Sequence, residues 1–180
     1  MKNQVLAISF GLISMIALGQ KSELKTAEKA IKKGEFASAL VAVNSVDAMV
    51  ATMDSKYKAK YYFLKGQALA GESNYAAAAK SFNNLFDYEI EIGKKKYTKL
   101  AKPMFGSLIQ KVSIKAIDLY SNDKNYKDAA TNFHLTYKLS PKDTTFLYNA
   151  ALSASLAKEY DAALGHYREL KKIGYTGITT

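Results

Sequence analysis

The sequence predicts an all-α fold of about four antiparallel helix pairs, stacked one on the next behind a separate amino-terminal segment. Three observations predict it. A short signature, polar turn then aromatic then Ala three residues later, recurs four times, at Phe36/Ala39, Tyr75/Ala78, Tyr126/Ala129 and Tyr160/Ala163. After each turn apolar residues follow helical spacing, as in Tyr75, Ala78, Ala79, Phe82 and in Tyr126, Ala129, Ala130, Phe133, which is one face of an amphipathic helix. The composition, with 10 Gly, 2 Pro and no Cys in 180 residues, lacks the dense turns of an all-β chain and the thiols of a disulfide scaffold.

In chain order, the first element is an apolar run. Lys2 is the only charge before Lys21, and Val5 to Leu18 is uncharged and largely apolar. A basic start, a run of this length and the small-x-small ending Ala17-Leu18-Gly19 predict a secretory signal peptide over residues 1–19, cleaved before Gln20. The run is shorter than the roughly 20 apolar residues of a spanning helix.

Four helix pairs are then predicted, over about 20–53, 59–92, 110–143 and 144–175, with an inserted basic segment at 93–109 and a tail at 176–180. The first helices of the pairs are read at Glu23 to Lys33, Lys56 to Gly71, Met104 to Ser121 and Thr144 to Ala157. Ala39, Ala78, Ala129 and Ala163 let helices approach closely, and the aromatics around them, with Val43, Phe82, Phe133 and Tyr167 four residues on, fill the gaps. One pair cannot bury its own apolar face, so the pairs must share a core.

These units resemble the tetratricopeptide repeat, whose period is about 34 residues. The second unit carries Tyr62, Gly66, Leu69, Ala78 and Phe82 of the pattern; the third carries Tyr120, Ala129, Phe133 and Pro141. The fourth keeps Ala151, Ala163 and Tyr167, and the first only Ala27, Ala39 and Val43. The resemblance implies a TPR-like α-solenoid with a concave groove. Together with the amino-terminal segment, it is similar to exported repeat proteins of Gram-negative envelopes such as those of the Bacteroidetes, which implies a periplasmic or envelope location.

Two departures from the pattern are expected to matter. The turn aromatics are 39, 51 and 34 residues apart, so the middle gap holds an insertion. Helix is predicted to about Ile92, then a stop at Gly93, a basic loop, and a long helix beginning near Pro103, a residue favoured in a first turn. At the other end Gly174 breaks the last helix and no polar capping helix follows, which predicts a truncated array.

No catalytic constellation is expected: the nucleophile-elbow, zinc-protease and phosphate-loop motifs are missing from the sequence. His134 and His166 fall two positions apart when the third and fourth repeats are aligned. That predicts side chains pointing in different directions, a surface or groove-edge role, and no metal pair. No cofactor is expected. The 13 Tyr and 8 Phe are read mainly as repeat-core residues, including Tyr160 and Tyr167. The charge, 26 basic against 16 acidic side chains, comes almost wholly from Lys; an ammonium lacks the guanidinium fork that reads bases and phosphates, so a nucleic-acid partner is not expected. One cluster, Lys94, Lys95, Lys96, Lys99 and Lys102, is a candidate contact for an anionic membrane surface or an acidic partner.

The resemblance also implies which first-helix positions line the groove: Lys60, Phe63 and Gln67; Lys111, Ile114 and Asp118; Tyr148 and Leu152. Members that clamp carboxyl-terminal peptides place Lys and Asn at two of these positions. Here they hold Phe63 and Gln67, Ile114 and Asp118, Tyr148 and Leu152, so that clamp is missing and the groove is more apolar. The expectation is a non-enzymatic scaffold or assembly factor that binds a peptide or helix of a protein partner.

Overall fold

The computed structural model describes residues 19–177, and all regular structure among them is helical. The predicted signal segment lies outside the described residues except for Gly19. From residue 19 the chain is helical to 33 (α1). It continues as α2 (Phe36–Asn44), a 3₁₀ turn (Asp47–Thr52), α3 (Ser55–Gly71), α4 (Tyr75–Glu91), α5 (Lys96–Ser121), α6 (Tyr126–Leu139), α7 (Thr145–Leu156) and α8 (Tyr160–Lys172). Among the described residues no helix is long and apolar enough to cross a membrane.

The four signature turns share one backbone device. Two residues before each aromatic, the chain enters the left-handed region, at Gly34 (φ +77°), Ser73 (+57°), Lys124 (+55°) and Lys158 (+61°). In three of the turns the next N–H donates back into the preceding helix six-to-one, as in Glu35 N to Ala30 O (2.9 Å), Asn74 N to Leu69 O (2.9 Å) and Glu159 N to Ala154 O (2.9 Å). This is the Schellman ending of a helix. Glycine suits it, and an L side chain in that region costs about 1–2 kcal/mol. Lys124→Gly and Lys158→Gly are therefore each expected to raise stability by about 0.5–1 kcal/mol, measured by urea unfolding.

Contacts divide the chain into two compact units, residues up to Met104 and residues from Phe105 onward. In the first unit, Leu24 and Ala27 of α1, Ala42 and Val43 of α2, and Tyr61 and Leu64 of α3 form the main core with Val46 and Met53. The five residues by which the first repeat gap exceeds the last are absorbed at the 3₁₀ turn. That turn is pinned to α3: Tyr61 Oη donates to Asp47 Oδ1 (2.7 Å), and Lys65 Nζ donates to Asp47 Oδ2 (2.6 Å). Burial first, then the neighbouring Asp47 carboxylate, pushes the Tyr61 hydroxyl well above the usual phenol range.

The join between α4 and α5 corrects the expected insertion. No basic loop runs from Gly93 to near Pro103, and Pro103 does not begin a helix: α5 starts at Lys96 and carries Pro103 in its interior. The reason is Glu89. Its side chain is buried at 2% exposure, and its two oxygens accept Tyr97 N (3.0 Å) and Thr98 N (2.7 Å). It thus satisfies orphan donors of the first turn of α5 and places a negative charge at the positive end of the helix. The charged residues of that turn are otherwise only Lys96 and Lys99, which the helix dipole disfavours. The extra residues of the middle gap lengthen helices: α4 has 17 residues and α5 has 26, against 14 in α6 and 12 in α7.

In the second unit, Ala116 of α5, Ala129 and Phe133 of α6 and Ala150 of α7 form one core cluster, and Tyr137, Leu147, Ala151 and Leu170 form another. Ala130, Ala154 and Ala163 bring α6, α7 and α8 together through small side chains. The four signature alanines, Ala39, Ala78, Ala129 and Ala163, are at most 4% exposed, as their spacing predicts. The aromatics of the last signature are not core residues: Tyr160 is 67% and Tyr167 40% exposed. With Leu164 they form an exposed stripe at i, i+4 and i+7 on α8, because no later helix among the described residues packs on that face.

Candidate functional site

In the first unit the expected groove residues are engaged in packing between helices. Lys60 Nζ lies 2.5 Å from Glu28 Oε2, joining α3 to α1. That hydrogen bond holds the Glu28 carboxyl below its ordinary value. The Phe63 ring is 5.2 Å, centroid to centroid, from Tyr97, and Gln67 Nε2 donates to Met104 Sδ at 3.6 Å. These three side chains sit where α3 meets α1 and the start of α5, so truncating Phe63 removes packing before it removes any binding surface.

The second unit keeps an open apolar surface. Lys111, Ile114 and Asp118 project from α5 into solvent, and Ile114 is 57% exposed. Beside them an open cleft of about 200 Å³ is lined by Ile117, Tyr120, Ser121, Phe133, Asn149 and Leu152. Two of the expected positions, Ile114 and Leu152, therefore border or line one apolar cleft between α5 and α7. Tyr148, half-buried, belongs to a different place, with its ring centroid 5.9 Å from that of Tyr175. Ile117, 51% exposed, and Asn149 were not among the expected groove residues. The signal for Ile117 was present: it lies three residues after Ile114 and so shares its helix face.

The expected anionic-surface residues all reach solvent. Lys94 and Lys95 sit in the short α4–α5 loop, and Lys96, Lys99 and Lys102 on the first turns of α5. All five are exposed, and among the described residues none is in an ion pair. Lys96 Nζ lies 5.3 Å over the Tyr97 ring.

The histidines depart from expectation. Their rings are not directed apart: the His134 and His166 centroids are 4.4 Å from each other, across α6 and α8. Glu169, three residues after His166, joins them, with Oε2 3.8 Å from His134 Nε2. The register explains it. Equivalent helices of neighbouring repeats meet with an offset of two residues from the 34-residue period, so partners lie 32 apart. Lys127 of α6 and Glu159, the residue just before α8, are also 32 apart and form an ion pair at 2.5 Å. His134 and His166 each follow that pair by seven residues, two helical turns on the same face. The two-position offset that predicted divergence is the offset that brings the rings together.

No protein family, curated protein or solved structure matches the chain. The resemblance to the tetratricopeptide pattern rests on the residues themselves.

Proposed function

We propose that this is a non-enzymatic helical-repeat protein of the cell envelope that binds a segment of another protein in the cleft between α5 and α7. The observation that supports it best is the cleft itself: Ile117, Tyr120 and Leu152 form an apolar lining, Ile114 is exposed beside it, and Asn149 supplies the one amide. Such a surface suits an extended or helical segment with apolar anchors, since burying each large apolar side chain contributes about 1.5–3 kcal/mol. The repeat resemblance is the second support, because stacked helix pairs use the faces of their first helices in this way. The uncharged run Val5 to Leu18 supports export.

A second reading has its own observation. Five exposed lysines at the start of α5 form a local positive field, which would hold the protein against anionic lipid headgroups or an acidic partner.

One experiment separates the two. The protein is used to capture partners from envelope extract, and retention is compared at low and high salt. Ile117→Asp with Leu152→Asp is expected to reduce retention at high salt at least tenfold while the helical circular dichroism is kept. Changing the five lysines to Gln is expected to leave high-salt retention intact. Retention that survives the cleft variant, but disappears with the lysine variant or with salt, would move the function to the lysine surface.

A further inference from the structure

We propose that His134, His166 and Glu169 form a binding site for one divalent cation of the zinc class, clamping α8 onto α6. One donor atom from each of the three residues lies within 4.8 Å of the other two. His134 Nε2 is buried and has no hydrogen-bond partner, while Glu169 Oε2 stands 3.8 Å away, beyond hydrogen-bond reach. A buried nitrogen facing a carboxylate across such a gap is an unsatisfied polar group that a cation would satisfy. Zinc–nitrogen and zinc–oxygen bonds of about 2.0–2.2 Å set tetrahedral donors about 3.3 Å apart, so small side-chain rotations close the set.

The donor chemistry selects the ion. Two imidazoles and one carboxylate suit zinc and its neighbours such as cobalt and nickel, whereas calcium and magnesium take oxygen ligands. Burial lowers the proton affinity of both imidazoles, with the neighbouring His166 and Lys138 acting further on His134, so both are neutral bases at pH 7, the form that ligates a metal. All three side chains are half-buried, which leaves a fourth coordination position for water. Lys138, one turn after His134, opposes any bound cation through its charge.

The consequence is mechanical. α8 has no helix packed on its outer face among the described residues, and it is held by α7 and by small residues facing α6. A cation shared between α6 and α8 would secure the last helix. Because it binds the folded chain only, it would raise the melting temperature in proportion to the logarithm of free metal.

The test uses the full, untagged chain, stripped with a chelator and then titrated with zinc chloride and, separately, cobalt chloride. The expected result is one equivalent bound per chain, visible cobalt bands of four-coordinate intensity, and a rise in melting temperature with zinc. His134→Gln, His166→Gln and Glu169→Gln should each weaken binding at least tenfold, and Lys138→Gln should tighten it severalfold. Should a histidine variant fail to fold, the parent protein supplies the answer through diethyl pyrocarbonate labelling read by mass spectrometry: zinc should protect His134 and His166. No binding at millimolar zinc, a six-coordinate cobalt spectrum, or stoichiometric binding that leaves both histidines open to the reagent would each overturn the assignment.

Discussion

Replacing Glu89 with alanine is expected to destabilise the protein by about 3 kcal/mol, the loss of a charge-assisted cap whose two hydrogen bonds leave half-buried N–H groups without acceptors. The carboxylate sits at 2% exposure at the end of α4, and it receives Tyr97 N and Thr98 N at 3.0 and 2.7 Å. Among the described residues no other acceptor is found for those donors. With Glu89 gone, the first turn of α5 would present unpaired N–H groups and two lysines, Lys96 and Lys99, to the positive end of its own dipole. Glu89→Gln keeps one acceptor oxygen but turns an NH₂ towards a donor, so it should lose about 2 kcal/mol. Urea unfolding gives the magnitudes. Hydrogen exchange at Tyr97 and Thr98 gives the mechanism: both amides should exchange faster in the variant while those of α3 stay protected. A loss below about 1 kcal/mol for the alanine variant would mean that water replaces the carboxylate easily, and that Glu89 does not set where α5 begins.

The second large effect reverses the usual sign of a helix substitution. In an open helix interior, glycine to alanine gains about 1 kcal/mol. At Gly66, in α3, a Cβ would stand 2.5–2.9 Å from three ring atoms of Phe82, which is itself fully buried. Real Cβ atoms do not approach that closely, and Phe82 has no room to withdraw, so Gly66→Ala should cost about 2 kcal/mol net of the helix gain. Gly165, in α8, is the control: nothing lies within 4 Å of its added Cβ. Gly165→Ala should therefore stabilise by up to about 1 kcal/mol. Pairing Gly66→Ala with Phe82→Leu should recover part of the loss in a double-mutant cycle, because the smaller side chain vacates the space. Equal behaviour of the two glycine variants would show that the α3–α4 contact is looser than the packing implies.

Much of this was legible in the sequence, and the limits have physical causes. The turn–aromatic–Ala signature located all four turns and the close helix contacts, because small residues at 3.6-residue spacing have few uses other than packing. Gly66 was visible as part of the repeat pattern, and the structure gives the reason in the Phe82 ring. The start of α5 was misplaced because Pro103 is a strong local signal, whereas the cap that overrides it is a residue seven positions before the helix. Spacing along one helix does not reveal a carboxylate folded back from the previous one. Glu169, three residues after His166, was legible as a partner on the same helix face and was overlooked, while the meeting of the two histidines was missed for a related reason. Repeat alignment compares equivalent positions, but contacts between stacked helices join positions offset by two, as Lys127 with Glu159 shows. The apolar cleft was half visible: Ile114 and Leu152 came from the repeat pattern, while Ile117 required knowing which face of α5 stays uncovered.

Binding in the α5–α7 cleft is tested most directly by placing a photo-cross-linking amino acid at position 117 and, in a separate protein, at position 99, then irradiating the cells that make the protein. The cleft account predicts a discrete protein adduct from position 117 that disappears when Leu152 is changed to Asp, with little or none from position 99. Adducts from position 99 alone, or a position-117 adduct indifferent to Leu152, would contradict it.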